Sequence, residues 1–296
     1  MHMSTDVYKT VDGHAISADV YRSADDVVRP TLVYIHGGAL IMGSRSGLDE
    51  TVTNRYVAAG FGVVAIDYRL APETKLPAIA DDLADAFRWV RTVAADHYHL
   101  DPGRVAVVGH SAGGYLALLS GVRVRPRPTA IVSYYGYGDI VGPWYSQPDP
   151  FYCQQPRVPE AEARAAVGNR PVSDARGPEH AQRGRFYLYS RQHGRWPREV
   201  AGVDPGADPD FFTPYCPERN VTGDYPPTLL LHGDQDTDVP YEQSVLMARR
   251  LREAGVEHEL LTIAGGGHGF DRAVERPDVA RALDRALAFL VEQSGL

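Results

Sequence analysis

Ser111 sits at the centre of Gly109-His110-Ser111-Ala112-Gly113, a G-x-S-x-G pattern. An apolar run, residues 105–108, precedes it, and a helical apolar pattern with Tyr115, Leu116, Leu118 and Leu119 follows. A strand, a sharp turn and a helix would lift the serine hydroxyl clear of the backbone. A serine hydroxyl is a poor nucleophile until a base takes its proton. His268, in Gly265-Gly266-Gly267-His268-Gly269, is the candidate base and the later acid for the leaving group. Asp236 lies in a loop that also carries Asp234 and Asp238, and is the candidate to orient the imidazole and stabilise its cation. The chemistry implied is covalent acyl transfer. A serine at this point could instead cap a helix; the strand before it and the partners downstream favour the nucleophile.

Such a nucleophile needs donors for the oxyanion it creates. Residues 31–35 read as a buried strand, and His36-Gly37-Gly38-Ala39-Leu40 follows at once. Gly37, Gly38 and Ala39 are small enough to bring backbone N–H groups close, and the N–H of Ala112, next to the nucleophile, completes the set. His97-Tyr98-His99 has a spacing seen in some metal sites but lacks an acidic or cysteine partner set, so no metal is expected there, and no cofactor.

These residues must be carried by strand ends. Residues 6–22 alternate in polarity around Asp12-Gly13, which predicts an antiparallel hairpin. Further strands are predicted at 63–66, 130–135, 227–231 and 259–264. Helices are predicted at 81–95, 159–167, 179–191 and 277–292. Strands alternating with helices predict an α/β fold with a mostly parallel central sheet covered on both faces. Residues 137–225 break the rhythm. They are rich in Pro, Arg and aromatics, and are read as a cap inserted into a catalytic core of residues 1–136 and 226–296. Most of the aromatics there are expected to form the cap's own small core. Its arginines (Arg176, Arg183, Arg185, Arg191, Arg195, Arg198) are expected to make a solvated face, with the sharper option that one pairs with a substrate carboxylate. Cys153 and Cys216 both fall in this segment, and spacing alone leaves their pairing open.

The chain has 296 residues, 44% of them hydrophobic, which suffices for one core with an insertion. A formal charge of -8 argues against nucleic acid or an anionic membrane as partner. No apolar run approaches a membrane span. With two cysteines and no charged-then-apolar leader in view, a cytoplasmic location is expected.

Four segments together, His36-Gly37-Gly38, Asp67-Tyr68-Arg69-Leu70-Ala71-Pro72-Glu73, Leu76-Pro77-Ala78 with Asp81-Asp82, and Gly109 to Gly114, resemble the hormone-sensitive-lipase-like esterases of the α/β-hydrolase superfamily. The resemblance covers residues 6–136 and 226–296. It implies the α/β-hydrolase fold, the order Ser, Asp, His, and an oxyanion hole drawing on Gly38 and Ala39, with Gly37 as fallback. Asp67 and Arg69 are expected to brace a loop rather than touch substrate. The chain departs from the family at Ala39, where a third glycine is usual, and at His110, where aspartate is frequent. The segment 233–240 resembles instead the acid loop of prolyl-oligopeptidase-type and carboxylesterase-type hydrolases, in which the second aspartate, Asp236, is the triad member and Asp234 and Asp238 are runners-up. The expected activity is hydrolysis of small to medium carboxylic esters without a cofactor. Short-peptide or amide hydrolysis, lactonase or acyltransferase activity remain as alternatives on the same triad, and a non-catalytic ligand-binding protein ranks last. The expected partner is a small-molecule ester, and a homodimer is left open.

Overall fold

The computed structural model describes all 296 residues. Eight strands form one sheet: β1 (His2–Val11), β2 (His14–Arg22), β3 (Arg29–Ile35), β4 (Gly62–Ile66), β5 (Leu100–His110), β6 (Ile131–Tyr134), β7 (Thr228–Gly233) and β8 (His258–Ile263). Their spatial order is β1-β2-β4-β3-β5-β6-β7-β8. β2 is antiparallel to both its neighbours and every other pairing beyond it is parallel, so β2 alone runs against the rest. The hairpin joining β1 to β2 turns at Asp12 and Gly13, both with positive φ (49° and 81°), as a two-residue turn of this twist requires.

Alternation along the central strands divides the core into two layers. Val33, Ile35, Val64, Ile66, Val105 and Val107 face one layer, shared with the helices Leu76–Trp89 and Ala112–Arg123. Leu32, Tyr34, Val63, Ala65, Ala106 and Val108 face the other, against Glu50–Ala58 and Pro277–Ser294. Covering both faces is what lets these strands be apolar on both sides.

The helix expected at 81–95 begins earlier, at Leu76, with Pro77 in its first turn where a missing N–H costs nothing. It then runs on through a π turn at Val90–Ala94 and a last turn Ala95–Tyr98, and stops at His99 with φ 52°. The expected helices at 159–167 and 179–191 are shorter than read, Glu160–Ala165 and Arg183–Gln192.

Between β6 and β7 the chain forms no strand, only short helices and 3-10 turns. Their apolar side chains, among them Tyr137, Tyr145, Phe186, Trp196 and Phe212, join the same layer as the helix Ala112–Arg123. Two arginines expected on a solvated face are instead buried. Arg183 pairs with Glu73 at 2.7 Å, and Arg191 pairs with Asp149 at 2.5 Å and Asp238 at 2.7 Å. Each is drawn inside because carboxylates from distant parts of the chain meet it there, which burial of a charge demands. Cys153 and Cys216 are both free, one exposed and one buried. No helix is long and apolar enough to cross a membrane.

The loop after β4 is braced by ions. Arg45 holds Asp67 through its side chain and its N–H. Asp82, fully buried, takes Arg69 Nε and Nη2 at 2.7 Å and Lys9 Nζ at 2.6 Å. Removing the shared anion would leave Arg69 without its carboxylate beside Lys9, which would keep only Asp85. Asp82→Ala is therefore expected to lower stability by about 3 kcal/mol or more in urea unfolding; a change below about 1 kcal/mol would contradict this bracing role.

Candidate active site

Ser111 closes β5 and opens the helix Ala112–Arg123 with φ 55° and ψ −119°. Its side chain makes no capping hydrogen bond, which leaves the hydroxyl free for other work. The flanking glycines are steric necessities. A Cβ on Gly109 would strike the Gly113 carbonyl, and a Cβ on Gly113 would strike the Ile35 carbonyl. The helix can thus press onto the ends of β3 and β5, and the turn stays tight.

His268 Nε2 lies 3.1 Å from Ser111 Oγ, and His268 Nδ1 lies 2.7 Å from Asp236 Oδ2. An ionised carboxylate only accepts, so Nδ1 carries the proton and Nε2 presents its lone pair to the serine hydroxyl. Asp236 Oδ1 accepts the N–H groups of Asp238 (2.8 Å) and Val239 (2.9 Å). Behind it stands His232, fully buried, whose Nε2 is 3.3 Å from Asp236 Oδ2 and 3.0 Å from the Val239 carbonyl, while Nδ1 meets Ser244 Oγ at 2.7 Å. Burial alone would raise the Asp236 pKa, but the hydrogen bonds from His232 and His268 outweigh it and hold the carboxyl far below the usual range.

The other two aspartates of the loop do different jobs. Asp234 Oδ1 accepts the Gly265 N–H at 2.7 Å, and Gln235 donates its N–H to the Gly266 carbonyl at 2.9 Å. These two bonds stitch the acid loop to the glycine turn that carries His268. Asp238 Oδ1 accepts from Tyr152 (2.8 Å), Tyr187 and Arg191 (2.7 Å), and its Oδ2 lies 3.5 Å from His268 Nε2. Arg191 is ringed by Trp144, Tyr145, Tyr152 and Tyr187, its guanidinium carbon 4.7–5.7 Å from their centroids.

The segment expected to supply the oxyanion donors lies beside the serine: a Cβ on Gly37 would sit 3.3 Å from Ser111 Cβ. Gly38, Ala39 and Leu40 all have positive φ, 113°, 55° and 59°. The N–H groups of Gly38 and Ala39 donate to no acceptor within the protein, while the Gly38 carbonyl accepts from Ile41 and Met42. Ala112 occupies the first turn of its helix, where N–H groups lack intrahelical partners. The arrangement therefore brings a serine hydroxyl, an imidazole, a buried carboxylate and backbone N–H groups without protein acceptors into one place. No group of three or more His, Cys, Asp or Glu side chains is arranged to hold a metal.

Residues 18–251 match the BD-FAE family. The chain is 30% identical over 290 residues to an ethyl acetate hydrolase of Pseudomonas putida, covering 96% of this chain and 79% of that protein. It belongs to the α/β-hydrolase carboxylesterases. The esterase LipC of Mycobacterium tuberculosis is also 30% identical, over 264 residues, but this chain spans only 58% of its length and the match takes in 88% of this chain. An α/β-hydrolase superfamily protein of Enterococcus faecalis shares the fold, with a TM-score of 0.72, 23% identity, and coverage of 98% of this chain and 99% of that one.

Against this carboxylesterase background, four residues stand out that motif reading did not reach. Tyr135 tilts its ring 4.6 Å from that of His268 and donates its hydroxyl to Asp271 at 2.7 Å. Asp271 also faces His110 Nε2 at 3.5 Å, and His110, in the family's variable place before the nucleophile, stacks on Tyr134 at 4.5 Å. Burial lowers the His110 pKa, so this side chain is neutral at neutral pH. His232, and Trp196 between β6 and β7, complete the four with Tyr135 and Asp271. A histidine ending the apolar run 229–231 was the one visible signal, for His232.

Burial would lower His268, but the Asp236 hydrogen bond and the charges of Asp238, Asp236 and Asp271 overcome it and raise its pKa above 6.5. An imidazole that takes a proton from Ser111 must itself be deprotonated, so if His268 serves as the base, kcat/KM should rise with pH through a limb above 6.5. Asp238→Asn removes one anion that favours the imidazolium. The limb should then move to lower pH, checked by a pH profile of kcat/KM; a limb that stays in place or moves up would refute this reading.

Proposed function

We propose that this carboxylesterase hydrolyses small to medium carboxylic esters with Ser111 as nucleophile, His268 as base and acid, and Asp236 as orienting carboxylate. The carrying observation is the unbroken chain from Ser111 Oγ through His268 to Asp236, at 3.1 and 2.7 Å. Ser111 Oγ attacks the ester carbonyl while its proton passes to His268 Nε2. The new imidazolium is held by Asp236, whose remaining oxygen is already tied to two backbone N–H groups. The tetrahedral oxyanion takes the free N–H groups of Gly38, Ala39 and Ala112, with Gly37 bordering the same space. His268 returns the proton to the departing alcohol. Water, activated by the same base, then cleaves the acyl-enzyme.

In this reading residues 137–225 act as a cap beside a core of 1–136 and 226–296. The ion cluster of Arg191, Asp149 and Asp238 supports it, because it fastens the segment to the acid loop. The small acyl group in the name of the Pseudomonas putida relative supports short substrates. The free cysteines, with the Cys216 thiol pushed up to about 12 by burial, fit a reducing cytoplasm.

The experiment is hydrolysis of p-nitrophenyl esters from acetate to decanoate by the wild type and by Ser111→Ala. Turnover should be highest on the shorter acyl chains and should fall by about 10⁴-fold or more in the variant. Activity that survives Ser111→Ala would overturn the assignment of the nucleophile. Silence on every ester, with turnover of anilides, lactones or acyl acceptors, would move the function to those alternatives.

A further inference from the structure

The oxyanion segment is held in an unusual shape, and the holding groups come largely from elsewhere. Three successive residues, Gly38, Ala39 and Leu40, lie at positive φ, and two of them carry side chains. L-residues disfavour that region, so such a run persists only when its surroundings impose it. The surroundings here take every carbonyl from Gly37 to Ile41. His36 Nδ1 meets the Gly37 carbonyl at 2.7 Å, and the N–H groups of Ile41 and Met42 meet that of Gly38 at 2.8 and 2.9 Å. The indole N–H of Trp196 donates to the Ala39 carbonyl at 2.9 Å. The Ala71 N–H donates to that of Leu40 at 2.7 Å, and Arg183 Nε to that of Ile41 at 2.5 Å.

With every one of these carbonyls engaged, two by neighbouring residues and three by distant ones, the segment cannot turn its peptides over. The N–H groups of Gly38 and Ala39 are left as donors beside Ser111. Two of the pins, Trp196 and Arg183, belong to the segment between β6 and β7. Both are buried, and each is fixed by further contacts. The Trp196 ring stacks on Tyr145 with centroids 4.0 Å apart, and Arg183 makes a two-pronged pair with Glu73 at 2.7 Å and reaches the Ala71 carbonyl at 2.6 Å.

We propose that Trp196 and Arg183 are positioning residues for the oxyanion hole, so that the segment between β6 and β7 helps to set transition-state stabilisation. The proposal rests on the esterase reading above. Neither side chain needs to touch the substrate; each acts by holding a carbonyl whose release would let the neighbouring N–H groups swing. Small displacements of oxyanion donors are costly because the donors must meet an atom position that exists only during reaction.

The test is Trp196→Phe, which keeps a ring against Tyr145 and deletes the N–H. With p-nitrophenyl acetate, kcat should fall by about tenfold or more while KM stays within about twofold. Affinity for a trifluoromethyl ketone, which mimics the tetrahedral intermediate, should weaken in the same proportion. The pH limb belonging to His268 should not move. A residue of merely structural value would lower Tm and leave kcat and the ketone Ki of the folded enzyme within about twofold of wild type, and that result would overturn the proposal. Should Trp196→Phe fail to fold, Arg183→Lys serves: it keeps a cation opposite Glu73 and removes the Nε–H to Ile41. The same joint fall in kcat and ketone affinity is expected, and its absence would be equally decisive. Silence of the wild type on every ester would remove the esterase reading itself, and ester turnover that survives Ser111→Ala would remove its nucleophile, whereas an unaltered Trp196→Phe enzyme would remove only this inference.

Discussion

Ser111 occupies a backbone conformation that L-residues avoid, and the structure around it is built so that it cannot relax. Such a residue costs about 1–3 kcal/mol and must be over-determined by its neighbours. Its N–H is taken by the Tyr134 carbonyl at 2.9 Å and its carbonyl by the Tyr115 N–H at 2.9 Å, which ties the turn to β6 on one side and to its own helix on the other. Gly109 and Gly113 let strand and helix close on each other without a Cβ between them. Because β3, β5, β6, β7 and β8 all run parallel, the segments that follow them emerge at the same edge of the sheet as Ser111. The oxyanion segment follows β3, the acid loop follows β7, and the histidine turn follows β8.

Charge around the base is arranged with similar redundancy. Asp236 is committed to four hydrogen-bonding groups, so it stays ionised and stays put while the imidazole beside it gains and loses a proton. Asp238 and Asp271 add negative potential without competing for Nδ1. Asp238 is in turn moored by Arg191, and that cation is sheltered by aromatic rings rather than water.

The parts of this site that a linear reading could reach are those whose partners are close in sequence or whose geometry is written into a motif. Gly109 and Gly113 specify the elbow, His36-Gly37-Gly38 announces a backbone close approach, and Asp12-Gly13 specifies a hairpin. Asp236 was separable from Asp234 and Asp238 only through likeness to other acid loops; in the structure Asp236 meets His268 Nδ1 at 2.7 Å, Asp238 stands 3.5 Å from Nε2, and Asp234 turns to the Gly265 N–H. The arginines of the inserted segment were misjudged for the converse reason. Arg183 and Arg191 look like a solvated face until Glu73, Asp149 and Asp238 are brought to them from up to 110 residues away. The early start of the helix at Leu76 escaped because Pro77 usually marks an ending, yet it is equally at home in a first turn. Trp196, Tyr135 and Asp271 carry no local signal at all, since their contacts with the site are made entirely through tertiary packing.

The pinning of the oxyanion segment bears on how such folds diversify. Inserted segments between the sixth and seventh strands invite treatment as interchangeable modules, to be grafted for new specificity. Here that exchange would carry a hidden requirement. A replacement must bring an indole or equivalent donor to the Ala39 carbonyl and a guanidinium to Ile41 and Glu73, or else supply a loop that keeps its shape unaided. Where neither is met, a graft with a well-fitting pocket would bind its ester and turn it over slowly.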